Sequence, residues 1–209
     1  MLVAYGLSMA KYPHLNSEGK KDGLHNIMTS QFEVEYEEVF HLKELYKHLH
    51  DWVDEWNYTT LEGMGEIESL YMELVNSKGE KNHYTWWRFE REINSYVKYF
   101  IKFDIITMKT TNVEVMHNGK KVKMNKGNPV FRAEAWVMLD WQEQWKNHWL
   151  LKHLDYWYVK RWYKPYIDAH KKQLWFELYN FEETIKQYLE LVTTTELPEP
   201  FHPNKGFED

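Results

Sequence analysis

Between Trp86 and Asp140 apolar and polar side chains alternate with a period of two, and this constrains the fold more than any other feature of the chain. Val97, Tyr99, Ile101, Phe103 and Ile105 alternate with Lys98, Phe100, Lys102 and Asp104. Trp87, Phe89, Arg91 and Ile93 alternate with Trp86, Arg88, Glu90 and Glu92. Phe131, Ala133, Ala135, Val137 and Leu139 do so with Arg132, Glu134, Trp136, Met138 and Asp140. Successive side chains of a strand point to opposite faces. Each segment therefore reads as a strand with one apolar face, and together they predict an antiparallel sheet covered on a single side.

The flanking segments fill in the rest. Phe32, Val34 and Tyr36 alternate with charged neighbours and predict an earlier strand. A helix over about 38–56 follows, with Leu42, Leu45, Leu49, Trp52, Val53 and Trp56 as its apolar stripe. Gly63 and Gly65 punctuate its exit. A strand near 67–76 ends at Ser77-Lys78-Gly79-Glu80. Asn118-Gly119 is the preferred dipeptide of a two-residue hairpin turn. Gly127-Asn128-Pro129 reads as the break before the last strand.

The cover comes from residues 142–192. In its second half Ile167, Leu174, Leu178, Phe181, Ile185, Leu189 and Val192 recur at helical spacing. Pro165 suits the first turn of that helix and interrupts the path from the first half. The fold class is α+β: about six or seven antiparallel strands with one face under long C-terminal helices. The expected organisation is a flexible arm at 1–30, one domain at 31–192 and an extended, proline-containing tail at 193–209.

This order of strand, helix, antiparallel strands and long C-terminal helix resembles the helix-grip fold of the START and polyketide-cyclase-like (SRPBCC) superfamily. The resemblance covers roughly 31–192 and implies a cavity for a hydrophobic small molecule between sheet and final helix. The C-terminal helical segment is longer than usual there and is interrupted at Pro165. The stretch Val113-Glu-Val-Met-His-Asn-Gly-Lys-Lys-Val122, with the Trp-rich segment after it, also looks like uncharacterised archaeal proteins. That second resemblance implies no function.

Composition narrows the function mainly by exclusion. With 11 Trp, 15 Tyr and 10 Phe in 209 residues and a net charge of -6, the chain has material for a core and is no disordered segment. It has no Cys, which excludes a thiol nucleophile, thiolate metal sites and iron–sulfur clusters. Acids outnumber bases 32 to 26, and only four bases are arginine (Arg88, Arg91, Arg132, Arg161). Nucleic-acid binding draws on a basic surplus and on arginine, so none is expected. No apolar run reaches the length of a membrane span, and the first residues resemble neither a signal peptide nor an anchor, so a cytoplasmic location is expected.

No phosphate loop, G-x-S-x-G elbow or H-E-x-x-H helix occurs, and enzyme is the minority reading. His41, Glu44 and His48 share one helical side but read as a solvated flank, so no metal and no cofactor is expected. The pocket lining is read as Trp87, Phe89, Arg91, Tyr99, Phe103, Phe131 and His170. Arg91 stands out because its alternation places a charge on the apolar face. It either reaches water at the sheet end or pairs with an acid or an anionic ligand, Glu73 being a candidate partner.

The run from Tyr156 to Tyr166 holds more rings than one buried face absorbs. Packing on both sides, a protein partner or second copy, and a membrane surface are the three explanations, in that order; the net negative charge counts against the last. Trp157, Trp162, Tyr163 and Tyr166 are the candidate interaction surface. The leading expectation is a binding protein for a hydrophobic or aromatic small molecule. The rival is an interaction or structural subunit docking through 145–166.

Overall fold

The computed structural model describes residues 25–61, 66–77, 79–117 and 120–193. The segments 1–24 and 194–209, the glycines at 63 and 65, and the dipeptide Asn118-Gly119 lie outside the described residues. The protein is α+β, an open, fully antiparallel seven-stranded sheet with helices that come mostly after it. The strands are β1 (Asn26–Glu35), β2 (Val39–Phe40), β3 (Thr59–Thr60), β4 (Glu68–Val75), β5 (Lys81–Glu92), β6 (Val97–His117) and β7 (Lys120–Leu139). Their order is β1-β7-β6-β5-β3, with β2 continuing the β1 edge on β7 and β4 continuing the β3 edge on β5.

The helices are α1 (Leu42–Glu55), α2 (Gln144–Asn147), α3 (Leu151–Trp157), a π-helical turn at Tyr158–Trp162, and α4 (Lys164–Thr193). α4 lies across the inner face of the sheet and buries Ile167, Leu174, Leu178, Phe181, Ile185 and Leu189 against it. α1 adds Leu45, Leu49, Trp52 and Val53 to the same core. Pro165 sits in the first turn of α4, where its missing N–H leaves no helical acceptor unfilled.

Four differences from the sequence expectation have local causes. β1 starts at Asn26, ahead of the alternating segment, because an irregularity between Met28 and Ser30 resets its register on β7 and breaks the period. α1 starts at Leu42, not near residue 38, because Val39 and Phe40 are extended against Lys126 and Asn125 of β7. His41 then caps the helix, its Nδ1 accepting from the Glu44 N–H at 3.2 Å. The helix ends at Glu55 with Trp56 as its cap, and Asn57 follows with a φ of 55°, the left-handed conformation that closes helices.

The third difference concerns Gly127-Asn128-Pro129, which is no break: β7 runs through it. Opposite Gly127, β6 carries an extra residue between Met108 and Thr111, with Lys109 at a φ of 52°. Pro129 is tolerated because a strand residue's N–H and C=O point the same way. Its carbonyl accepts from the Tyr36 N–H at 3.1 Å, in the gap between β1 and β2, so the missing donor deprives no ladder partner. Gly127 itself leaves room for the bulge. A Cβ there would stand 2.9 Å from Thr110 Oγ1 and 3.0 Å from Thr110 Cα. The backbone atom cannot swing aside, so Gly127→Ala is expected to cost about 1–3 kcal/mol. Urea unfolding of that variant beside Asn128→Ala checks this, and an unchanged midpoint would show that the bulge can slide.

The fourth difference is on the outer face. Charges pair across strands there as their positions suggest: Arg88 with Asp104 at 2.8 Å, Lys102 with Glu134 at 3.2 Å and Arg132 with Glu33 at 2.8 Å. Phe100, Trp136 and Met138 nevertheless form a second buried cluster with Leu61 and Met28. Beside it the Lys98–Glu90 pair is also buried, at 2.8 Å, with the Lys98 ammonium 3.9 Å from the Trp141 ring centre. The outer face is thus partly covered by Leu61 in the chain that follows α1 and by Trp141 just after β7.

Candidate functional site

The five aromatic members of the expected lining, Trp87, Phe89, Tyr99, Phe103 and Phe131, all point to the inner face and are fully buried. They meet one another and α4 directly. The Phe103 ring centre is 4.9 Å from Phe181, 5.7 Å from Trp87 and 6.4 Å from Phe131, and Phe89 is 6.3 Å from Phe181. Rings occupy the middle of the space between sheet and α4.

Arg91 and His170 lie at one end of that space, in a polar network. Arg91 pairs with Glu177 of α4 at 2.6 Å and donates to the Trp56 carbonyl at 2.8 Å. Its guanidinium also lies over the rings of Tyr58 and Tyr99. The Tyr58 hydroxyl donates to the other Glu177 oxygen at 2.7 Å, and Gln173 donates to Glu177 at 3.1 Å. Burial, with Glu177 beside it, pushes the Tyr58 hydroxyl well above its ordinary range. The Tyr99 hydroxyl lies 2.9 Å from His170 Nδ1, and burial pushes the His170 imidazole down. The acid that meets Arg91 is therefore on the last helix. Glu73 is not its partner and pairs with Lys81 at 2.7 Å instead.

Among the described residues, an open space on the inner face lies elsewhere, between α1 and the β4 side of the sheet. A cleft of about 580 Å³ is lined by Leu42, Lys43, Tyr46 and Lys47 of α1, Glu68 and Tyr71 of β4, His83 and Thr85 of β5, Ile105 of β6 and Asn125 of β7. None of the seven residues singled out from sequence is among these. Trp87 comes nearest: its Nε1 donates to the Tyr46 hydroxyl at 3.2 Å, and the two rings meet edge to face at 4.8 Å. The Tyr46 hydroxyl in turn donates to Glu68, and burial pushes it far above its ordinary value.

His83 and Thr85 are the two buried polar side chains of the cleft. His83 stands in register with Glu73 on one neighbour strand and Thr107 on the other. Its Nδ1 lies 2.9 Å from Thr107 Oγ1 and its Nε2 3.4 Å from Glu73. Burial pushes the imidazole below 6.5 while Glu73 opposes the shift, and Lys81 holds Glu73 below the usual carboxylate range. The set has the composition of a hydroxyl–imidazole–carboxylate relay, but Thr107 is fully buried and does not line the cleft. Its hydroxyl fixes the histidine ring; it does not meet a bound molecule. The cleft thus offers aromatic and aliphatic walls, charged groups at Lys43, Lys47 and Glu68, and the His83 imidazole at one side. One signal for it lay in the alternation of β5, whose inner face begins with the polar residues His83 and Thr85 before Trp87.

The candidate interaction surface is built differently. Tyr163 N–H donates to the Tyr158 carbonyl at 2.9 Å, a five-residue step, and this wider turn brings side chains five apart alongside each other. Trp157 lies 5.5 Å from Trp162, and Tyr158 stacks on Tyr163 at 5.4 Å. The second pair turns inward onto Tyr96, while Trp157, Trp162 and Tyr166 are 54%, 64% and 62% exposed. Packing on both sides does not account for these three rings.

No family model matches the chain, and no curated protein does. Among solved structures, an uncharacterised protein from Rhizobium leguminosarum is similar at 9% identity over 78% of this chain and 97% of that one, with a TM-score of 0.18.

Proposed function

We propose that the protein binds an apolar or aromatic small molecule, and that the ligand lies in the cleft between α1 and the sheet. The observation that carries this reading is the cleft itself. Its volume of about 580 Å³ is within the range of small-molecule sites, and Leu42, Tyr46, Tyr71 and Ile105 give it aliphatic and aromatic walls beside the polar groups that line it. The helix-grip resemblance implies a cavity between sheet and final helix, which is a different place from this cleft. The site lies under α1 because rings already occupy the space under the middle of α4.

The neutral fluorophore N-phenyl-1-naphthylamine tests the proposal. It is expected to bind the whole chain saturably at one site. Leu42→Trp, which puts a bulky ring in place of an aliphatic side chain on the half-buried rim, is expected to weaken binding at least about tenfold, equivalent to about 1.4 kcal/mol. Trp162→Ala, at the far surface, leaves binding unchanged. Absence of saturable binding, or equal binding by Leu42→Trp, would overturn the reading.

A second reading is favoured by the outward rings of 145–166: this segment is a docking surface. It does not compete with the first, because the two sets of residues are disjoint.

A further inference from the structure

The segment that carries the outward rings also carries a charge opposite to that of the whole chain. Residues 142–172 hold seven Lys and Arg against three Asp and Glu, whereas the chain has a net charge of -6. The imbalance at the surface is larger than the count suggests. Asp155 is buried against His25 at 2.7 Å; Glu143 pairs with Lys146 at 2.8 Å, one charge of each sign, and Asp168 is the remaining exposed acid. Lys152, Lys160, Arg161 and Lys164 are exposed, and no acid among the described residues lies within salt-bridge distance of them.

Three of the exposed apolar side chains share one direction. Leu150, Leu154 and Trp157 are spaced i, i+4, i+7 along one side of α3, away from the inward Asp155 and Val159. The π turn then sets Trp162 beside Trp157. Leu150 and Leu154 are each about half exposed. The result is a ridge of Leu and Trp flanked by cations that have no acid partner among the described residues.

We infer that this ridge docks on an anionic lipid bilayer, with Leu150, Leu154, Trp157 and Trp162 entering the headgroup zone while Lys152, Lys160, Arg161 and Lys164 meet lipid phosphates and carboxylates. The inference rests on reading 145–166 as a docking surface and names its occupant. Trp among Lys, beside Leu, is the composition of interfacial helices. The alternatives fit less well. A second copy would bring one basic ridge against another. A protein interface is depleted of Lys and enriched in Arg, and here three of the four cations are Lys. A single-stranded nucleic acid would stack on the rings but would leave the exposed leucines in water. No helix among the described residues is long and apolar enough to cross a membrane.

Co-sedimentation of the full chain with vesicles tests this, using phosphatidylcholine alone and phosphatidylcholine containing phosphatidylserine. Binding is expected only to the second. It is expected to fall when salt rises from about 0.1 M to about 1 M, which shortens the screening length from about 10 to about 3 Å. Two double variants separate the contributions, Trp157→Ala/Trp162→Ala and Lys160→Glu/Arg161→Glu. Each cation near such a surface is worth about fivefold in affinity, so the charge reversal is expected to lose more than about twentyfold. The ring deletion is expected to lose at least about tenfold. Both change exposed side chains, and circular dichroism checks that each folds; one folded variant suffices. Binding that neither variant weakens overturns the inference, as does the absence of sedimentation with serine-containing vesicles. If the protein then shows concentration-dependent mass in light scattering that Trp157→Ala/Trp162→Ala removes, the docking surface stands and the lipid occupant is wrong. A strict monomer that binds neither kind of vesicle overturns both.

Discussion

Replacing Phe181 with Ala is expected to lower the unfolding free energy by about 3–5 kcal/mol, a large part of the stability of a domain this size. Phe181 is fully buried on α4, and its ring is the meeting point of four other elements. Its centre lies 4.5 Å from Trp52 of α1, 4.9 Å from Phe103 of β6, 6.2 Å from Phe32 of β1 and 6.3 Å from Phe89 of β5. A cavity costs least where its walls can collapse, and here they cannot. Phe103 and Phe89 are held by the sheet ladder, Phe32 by pairing with Ala133, and Trp52 by its Nε1 bond to Asn180 at 2.8 Å. Trp175→Ala is the control. Trp175 is on the same helix, is about half exposed, and its removal is expected to cost under about 0.5 kcal/mol. Equilibrium unfolding in guanidinium measures both. A loss below about 1.5 kcal/mol for Phe181→Ala would show that α1 and α4 close the gap by sliding.

Phe181 was legible as core because seven residues at helical spacing marked its face. The alternating strands were legible for the same reason, since β5, β6 and β7 each present one face to that helix and each repeat a simple period. Where the backbone departs from its period the pattern fails, as at the irregularity after Met28 and at the bulge opposite Gly127. A glycine and a proline inside β7 then look like a turn, although the glycine accommodates a neighbouring strand and the proline fills a gap in pairing. Arg91 was legible as an anomaly, a charge on an apolar face. Its partner was not, because Glu177 is 86 residues away and periodicity within one element does not say which acid on another will meet it. One sign was there: Glu177 falls among Leu174, Leu178 and Phe181 on the buried side of α4.

The candidate cleft was the least legible part. It depends on how far α1 stands from the β4 side of the sheet, a matter of tertiary packing that no period records. Its walls come from five elements, and six of its ten lining residues are the polar or charged side chains Lys43, Lys47, Glu68, His83, Thr85 and Asn125, which do not enter an apolar pattern. The outward rings of 145–166 show the opposite case. Their number was plain in the sequence, but the side each takes depends on a π turn that shifts Trp162 next to Trp157.

The Arg91–Glu177 pair supplies the second large effect. Glu177 is 1% exposed, and Glu177→Ala leaves a mostly buried guanidinium with only the Trp56 carbonyl and two ring faces for company. Removing one member of such a pair typically costs about 3–5 kcal/mol, and the same is expected here. The pair itself need not be worth that much, because desolvating both charges offsets most of their attraction. Arg91→Met combined with Glu177→Leu removes both charges and is expected to be milder than Glu177→Ala alone. Part of the loss remains, since the Tyr58 hydroxyl, which donates to Glu177 at 2.7 Å, is left without that acceptor in a buried place. An orphaned donor of this kind costs about 1–3 kcal/mol. Adding Tyr58→Phe removes the donor, so the triple variant is expected to recover most of that remainder. Guanidinium unfolding of the single, double and triple variants decides between this account and a net-favourable ion pair. If the double variant is as unstable as Glu177→Ala, the attraction between Arg91 and Glu177 holds β5 to α4. If the triple variant approaches the native chain, the pair fixes how the helix seats on the sheet while adding little to how tightly it is held.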